Sequence, residues 1–354
     1  MTAVIGLLGA SGRVGRTAAD RIVAADLGEL RLGGRDPGRT AAVTASLPGG
    51  AETVRVDLDD PAELAAFCAG CRMVVNCAGP SYRVLDTVAR AAWAAGADYV
   101  DVGGDLAARD ALDGPAGERV AVFSAGVMPG LSGLLPRLLT GRPLRRLDSY
   151  VGGAAAFTPL SAVDALLTRG DRFGIALAAW RDGAVVPNAL VPLRHVALPG
   201  FPVPMHAWPF LTTESRALPV REVRAYNVFL SERIPQALAG AWAEVPANAG
   251  AEALAPHASA VVAASEQDAG ERGPFYVMLF SGRAAPGSPP GPSRVLLTAT
   301  DSYALSGVVT ALAARAVLGG AIGPGAHLAA EVLDPGTVAD GLRRDPLVDQ
   351  LTVE

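Results

Sequence analysis

The chain has 354 residues, half of them hydrophobic and 18% charged, with a net charge of −5. That is enough for about two domains with real cores, and it excludes a disordered or supercharged chain. The acidic balance gives no electrostatic reason to expect nucleic acid or an anionic membrane as the main partner.

All 30 basic residues are arginines. Schiff-base catalysis, a P-loop lysine and lysine-assisted proton relays are therefore excluded, because a guanidinium does not shed its proton near neutral pH. Three cysteines, Cys68, Cys71 and Cys77, argue against a disulfide framework and for a reducing, cytoplasmic setting. Met1 running directly into a strand leaves no expected targeting segment. The longest apolar stretch, 304–330, is interrupted by Arg315, Gly319, Gly320, Gly323 and Pro324, and reads as a buried core helix, not a membrane span.

In chain order, the spacing predicts strands at 4–8, 29–33, 53–56, 73–76, 99–102 and 120–123. Helices are expected at 13–25, 61–69 and 82–95, the second with Asp60 as N-cap and Pro61 in its first turn. This alternation indicates an α/β fold, an N-terminal Rossmann-type, doubly wound parallel sheet. After Ser124 come a loop at 125–130 and a short helix at 131–139. Longer strands follow at 148–152, 185–196, 223–230, 275–283 and 293–300, with helices at 160–180, 234–242 and 256–266 between them. The expected division is a nucleotide domain over 1–125, an α+β substrate or dimerisation domain over 126–300, and helices over 301–354 returning towards the first domain.

Gly9-Ala10-Ser11-Gly12-Arg13-Val14-Gly15 lies between the first strand and the first helix. Gly9 permits the tight exit from the strand, Gly12 the approach of a backbone to a pyrophosphate, and Gly15 close helix–sheet packing. The helix N-terminus then offers N–H groups to the anion. We expect Gly9, Ser11, Gly12, Arg13, Val14 and Gly15 to bind a dinucleotide. The second strand ends in Gly34-Arg35, with Arg39 a turn later. A guanidinium at Arg35 suits a 2′-phosphate and favours NADP(H) over NAD(H). Asp36 is placed either to pair with an arginine or to reach the ribose, and Asp57 either to meet the adenine amino group or to cap a helix. Ala78, Gly79 and Pro80, after the fourth strand, are small enough to pass beneath the nicotinamide ribose. Cys77 reads as a packing residue, and Cys68-x-x-Cys71, lacking a second ligand pair, implies no metal.

The stretches Gly9–Gly15, Gly34-Arg35-Asp36, Asn76–Pro80, Ala95–Asp101, Ala125–Leu135 and Glu331–Pro335 make the chain resemble the saccharopine dehydrogenase-like reductases. The likeness is firm over 1–135, thin in the middle, and returns over roughly 295–340. It implies an NADP(H)-binding first part, a second domain that carries substrate over the nicotinamide, and a C-terminal helix packed near the first domain. In many members it also implies hydride transfer at a carbon bonded to nitrogen; other members reduce carbon–carbon double bonds of lipid intermediates. Many relatives have an aspartate before the Pro-Gly that follows the sixth strand, where this chain has Met128. That weakens the expectation of a substrate amine and favours an uncharged or carrier-tethered substrate, as in thiazoline-type imine reductases, which share the same plan.

Hydride transfer asks the protein for position, a proton source and exclusion of water. The short-chain dehydrogenase alternative fails here, since its Tyr-x-x-x-Lys pair needs a lysine. Asp101 shares a strand face with Tyr99, and its alternative role is to fix a loop. His206 lies in the aromatic, proline-rich stretch 201–210, which is either a pocket wall or a stiffened crossover, and Tyr226 follows on the next strand. The expected catalytic candidates are therefore Asp101, His206 and Tyr226. The leading expectation is an NADPH-dependent reductase of a C=N bond in a small-molecule or carrier-protein-bound intermediate. The alternatives are reduction of an activated C=C bond in a lipid or polyketide intermediate, and a non-catalytic NADP(H) sensor. A homodimer formed through the second domain is one expected assembly.

Overall fold

Glycines and short apolar runs punctuate the first third of the chain, and they become strands buried on both faces. The computed structural model describes residues 3–112, 117–168, 170, 172–246 and 250–354, so the expectation resting on Met1 lies outside the described residues. Two units are formed, Met1–Leu134 with Tyr303–Asp345, and Leu135–Ser302 with Pro346–Glu354.

In the first unit, β1 (Val4–Leu8), α1 (Arg13–Ala24), β2 (Glu29–Gly34), α2 (Pro37–Thr44), β3 (Glu52–Arg55), α3 (Pro61–Cys68) and β4 (Met73–Asn76) follow in order. Then come α4 (Ser81–Val84), α5 (Thr87–Ala94), β5 (Asp98–Asp101), α6 (Asp105–Ala111), β6 (Val120–Phe123) and α7 (Leu131–Leu134). Seven parallel strands run in the order β3, β2, β1, β4, β5, β6 and a last strand, Gly325–Leu328. All four residues of β4, β5 and β6 are buried, as a parallel sheet covered by helices requires. The strand order reverses between β1 and β4, which opens the crevice at their carboxyl ends where such sheets bind ligands.

Two local expectations change here. Helix α2 was not anticipated; Asp36 caps it, accepting from the Arg39 N–H at 3.0 Å, with Pro37 in its first turn. The helix expected over 82–95 is two helices, because Leu85 takes a φ of 43°, outside the right-handed helical well.

The second unit holds a mixed sheet of ten strands. Its centre is Leu144–Ala154, parallel to Val220–Phe229 and antiparallel to Phe275–Ala284. Helices Pro159–Leu167, Arg233–Glu244 and Ala251–Arg272 pack together through Ala162, Leu166, Ile234, Leu238, Leu254 and Val261. The helix expected over 160–180 stops at Leu167. Beyond Gly170, whose φ is 89°, the chain forms the short strands Gly174–Ala176 and Ala179–Arg181. The strand expected over 185–196 splits because Pro187 and Pro192 supply no N–H and Asn188 has a φ of 52°. Pro256 is not in a first turn, since its helix begins at Ala251. The last strand, Val348–Val353, pairs with Arg294–Ala299, so 301–354 is not helical throughout.

Candidate functional site

The glycine loop shows three different steric demands. Gly9 has a φ of 76°, and a Cβ on it would stand 2.7 Å from the Ala78 N and the Cys77 carbonyl, so its bareness lets the loop after β1 lie against the loop after β4. A Cβ on Gly15 would collide with the Gly9 carbonyl oxygen, which is why α1 can start so close beneath the turn. Gly12 is exposed, and a Cβ there would meet only the Gly9 oxygen at 3.3 Å; the space before it is open. Gly12 is the N-cap of α1, with no side-chain cap hydrogen bond, and the first turn carries no acid. These are the features that suit a pyrophosphate, and the loop fits the dinucleotide expected of it.

At the end of β2 the competition between Asp36 and the arginines is settled by capping. Asp36 Oδ1 is engaged at the start of α2, while the exposed Arg35 and Arg39 side chains make no ion pair among the described residues. Asp57 fixes its own turn: its N–H donates to Glu63 Oε2 at 2.8 Å and its Oδ1 accepts from the Asp59 N–H at 3.1 Å. The cap of α3 is Asp60, which accepts from Ala62 and Glu63.

Asn76, the last residue of β4, organises the next loop. Its Oδ1 accepts from the Ala78 N–H at 3.1 Å, and its Nδ2 donates to the Ala78 carbonyl at 3.2 Å and to Asp101 Oδ2 at 3.0 Å. Asp101 also accepts from the Tyr99 hydroxyl and from the Gly103 N–H at 2.8 Å. Burial raises the Asp101 pKa, against the three hydrogen bonds that hold it down, and raises that of Tyr99 well above its ordinary value. Tyr99 and Asp101 do share a face, and what that face builds is a buried brace under the loops at Ala78–Pro80 and Gly103. Asn76 was absent from the expected site residues; its position at the carboxyl end of a central strand was the available signal. Cys77 is raised by burial and by Asp101, and Cys68 is pushed up to about 12 by burial, so both thiols pack and neither is a ready nucleophile.

In the second unit, His206 pairs with Phe229 and Pro209 with Tyr226 across adjacent antiparallel strands. Side chains alternate along a strand, so His206 and Tyr226 point to opposite faces of this sheet and do not meet in one pocket. Tyr226 stacks on Tyr150 at 5.0 Å and lies among Met205, Ala207, Val228 and Leu190. Burial raises the pKa of Tyr226 and pushes Tyr150 up to about 12. His206 is buried, its ring edge-on to His195 at 4.6 Å, with Nδ1 3.7 Å from Glu232. Burial and His195 lower its pKa, so it is neutral near pH 7.

Residues 5–115 match the family model for the saccharopine dehydrogenase NADP binding domain. The whole chain is similar in fold to the apo saccharopine dehydrogenase (L-Glu forming) of Saccharomyces cerevisiae, with a TM-score of 0.68 at 15% identity, covering 99% of this chain and 100% of that one. A Rossmann-fold NAD(P)-binding family protein from Shigella flexneri shares 19% identity over 28% of this chain and 51% of its own, with a TM-score of 0.24. A short-chain dehydrogenase/reductase (wide type) from Veillonella parvula DSM 2008, in complex with NADP, shares 15% over 28% and 47%, with a TM-score of 0.25. No curated protein matches the sequence. Residues 5–115 thus match an NADP-binding domain, in a chain whose fold is similar to that of saccharopine dehydrogenase over nearly its whole length.

Proposed function

We propose that the protein is an NADPH-dependent reductase of a C=N bond in an amino-acid-derived or carrier-bound biosynthetic intermediate. The family of its nucleotide domain supports a nicotinamide oxidoreductase, and many of the reductases it resembles work at a carbon bonded to nitrogen. The observation that carries the choice of an uncharged imine is Met128. It stands 40% exposed in the turn after β6, closed by pairing of Gly126 with Gly130, and brings an apolar side chain there instead of a carboxylate for an ammonium group.

NADPH, when bound, supplies the hydride. The glycine loop and the start of α1 hold the pyrophosphate, Arg35 takes the 2′-phosphate, and Ala78, Gly79 and Pro80 support the nicotinamide side. The brace of Asn76, Tyr99 and Asp101 keeps that last loop in place, so Asp101 acts by positioning. Tyr226, stacked on Tyr150 among buried apolar residues of the second unit, is assigned no proton transfer. His206, neutral and on the opposite sheet face, is assigned no proton transfer.

Steady NADPH oxidation with cyclic or carrier-bound imines, and none with enones or ketones, is the expected outcome. Turnover of enones alone would replace the C=N reading with the C=C one, and tight NADPH binding without turnover on any panel would replace it with a sensor.

A further inference from the structure

In the second unit, one face of the ten-stranded sheet carries an ordered set of charges. Parallel register sets Glu222 beside Arg146, Arg224 beside Asp148 and Tyr226 beside Tyr150, so these six side chains share that face. Asp148 accepts from Arg146 Nε at 2.8 Å, and Glu222 Oε1 accepts from Arg224 Nε at 2.9 Å and from Arg181 Nε at 3.2 Å. Both carboxylates are thereby committed. The antiparallel strand Phe275–Ala284 then brings Arg283 directly opposite Arg146, and Arg283 makes no ion pair among the described residues. Arg294, one strand further on, is matched by Glu354 at 3.5 Å. Arg146, Arg181, Arg224 and Arg283 thus outnumber Asp148 and Glu222, a local positive excess in a chain whose net charge is −5. Like charges set directly opposite each other repel. Beside them the Tyr150 and Tyr226 rings stack at 5.0 Å, and neither hydroxyl makes a hydrogen bond among the described residues. Arg146, Arg224 and Asp148 stand close enough to act on both phenols, but burial outweighs them and keeps both protonated, as donors, at neutral pH.

We propose that this face is a binding site for the carboxylate of a small organic acid, clamped by Arg146, Arg224 and Arg283 with the Tyr150 hydroxyl donating to it. A carboxylate presents two oxygens in the plane that a guanidinium edge matches, and such charge-assisted bonds are the strong ones. Arg146 and Arg224 are each held by an acid and still have N–H groups to offer, since a guanidinium carries five. An anion between Arg146 and Arg283 relieves the repulsion that their register imposes. The Arg146 side chain is only 17% exposed, so that attraction is less screened than on an open surface. Asp148 and Glu222 set the charge class, because they repel a phosphate dianion more than a carboxylate. The site lies wholly within the second unit, and the inference stands apart from the C=N reading.

The test is calorimetric titration of the full-length protein at low ionic strength with benzoate and hexanoate, using benzamide and hexanamide as uncharged counterparts. Saturable binding of at least one acid is expected, with its amide bound about 10-fold more weakly or worse. Arg224→Gln leaves Glu222 paired with Arg181, and Tyr150→Phe keeps the stacked ring, so neither substitution strands a partner. Each is expected to weaken the acid about 10-fold. Arg221→Gln removes a charge from the opposite face of the same strand and should leave the affinity unchanged. The proposal is overturned if neither acid binds, or if an amide binds as well as its acid. It is equally overturned if Arg221→Gln costs as much as Arg224→Gln, or if inorganic phosphate binds more tightly than either acid. These titrations contain no NADPH, so failure of the reductase reading would leave their outcome untouched.

Discussion

Replacing Arg35 with alanine isolates the cofactor choice from the stability of the fold. The side chain is exposed and makes no hydrogen bond or ion pair among the described residues, so truncation leaves no partner stranded. A charge-assisted hydrogen bond contributes about 1.5–3 kcal/mol, which is roughly 10- to 150-fold in affinity. Arg39, one turn into α2 and also unpaired, is placed to keep part of that attraction, so about 10- to 50-fold is the working expectation. Fluorescence or calorimetric titration should show NADPH weakened by that factor, NADH unchanged, and the unfolding midpoint of the free protein unmoved. The contrast is Asp36→Ala. Because Asp36 caps α2, its removal should lower stability by about 1 kcal/mol and leave NADH affinity alone. Loss of NADH binding in Asp36→Ala, or equal losses of NADH and NADPH in Arg35→Ala, would refute the assignment of Arg35 to the 2′-phosphate.

Gly15→Ala should abolish binding of either nucleotide and lower stability, because the added carbon runs into the Gly9 carbonyl oxygen and is relieved only by moving α1; an intact fold with normal NADPH affinity would contradict that. Tyr99→Phe removes a donor from a buried carboxylate and should cost about 1–3 kcal/mol in chemical denaturation. His206 has a folded pKa below its ordinary 6.5, so the unfolded chain takes its proton first as pH falls. Stability is expected to be full above 6.5 and to decline as pH drops from there towards the folded pKa, a decline that His206→Gln should flatten in pH-dependent melting.

Much of the nucleotide unit was legible because its signals are local. β1, β4 and β6 fall where the short apolar runs place them, and α3 begins at Pro61 behind its Asp60 cap. The turn at Gly9 and the close packing at Gly15 could be read from spacing, since strand, turn and helix follow within a dozen residues. What was hidden depends on partners distant in sequence. The brace of Asn76, Tyr99 and Asp101 needs the β4–β5 register, which pairs Asn76 with Asp101. The separation of His206 from Tyr226 needs the register of the antiparallel strands Met205–Thr212 and Val220–Phe229. Helix α2 was missed because Pro37-Gly38 reads as a turn until Asp36 is seen as its cap. Over 160–180 the apolar spacing suited a helix, yet Gly170 and Gly174 let the chain turn back into a strand, Gly174–Ala176, that the neighbouring Met205–Thr212 accepts.

The apolar run near the C-terminus explains why the nucleotide unit is discontinuous. The helix Ser302–Leu318 is apolar around its circumference, with Ala304, Leu305, Val308, Val309, Ala311, Ala313, Ala314 and Val317 all buried. Such a helix needs cover on every side. The burial of these residues shows that protein provides that cover. Within the first unit it does: Gly307 admits α1, and the following strand Gly325–Leu328 pairs in parallel with β6, which would otherwise be a bare edge of the sheet. Arg21 then closes the segment by donating to both oxygens of Asp345 at 2.6 and 2.9 Å. The 5–115 match therefore marks the sequence signature of the nucleotide domain and not its physical extent. The glycine loop proposed to bind the anion is written at the start of the chain, while the packing that holds α1 beneath it arrives only with residues 303–345.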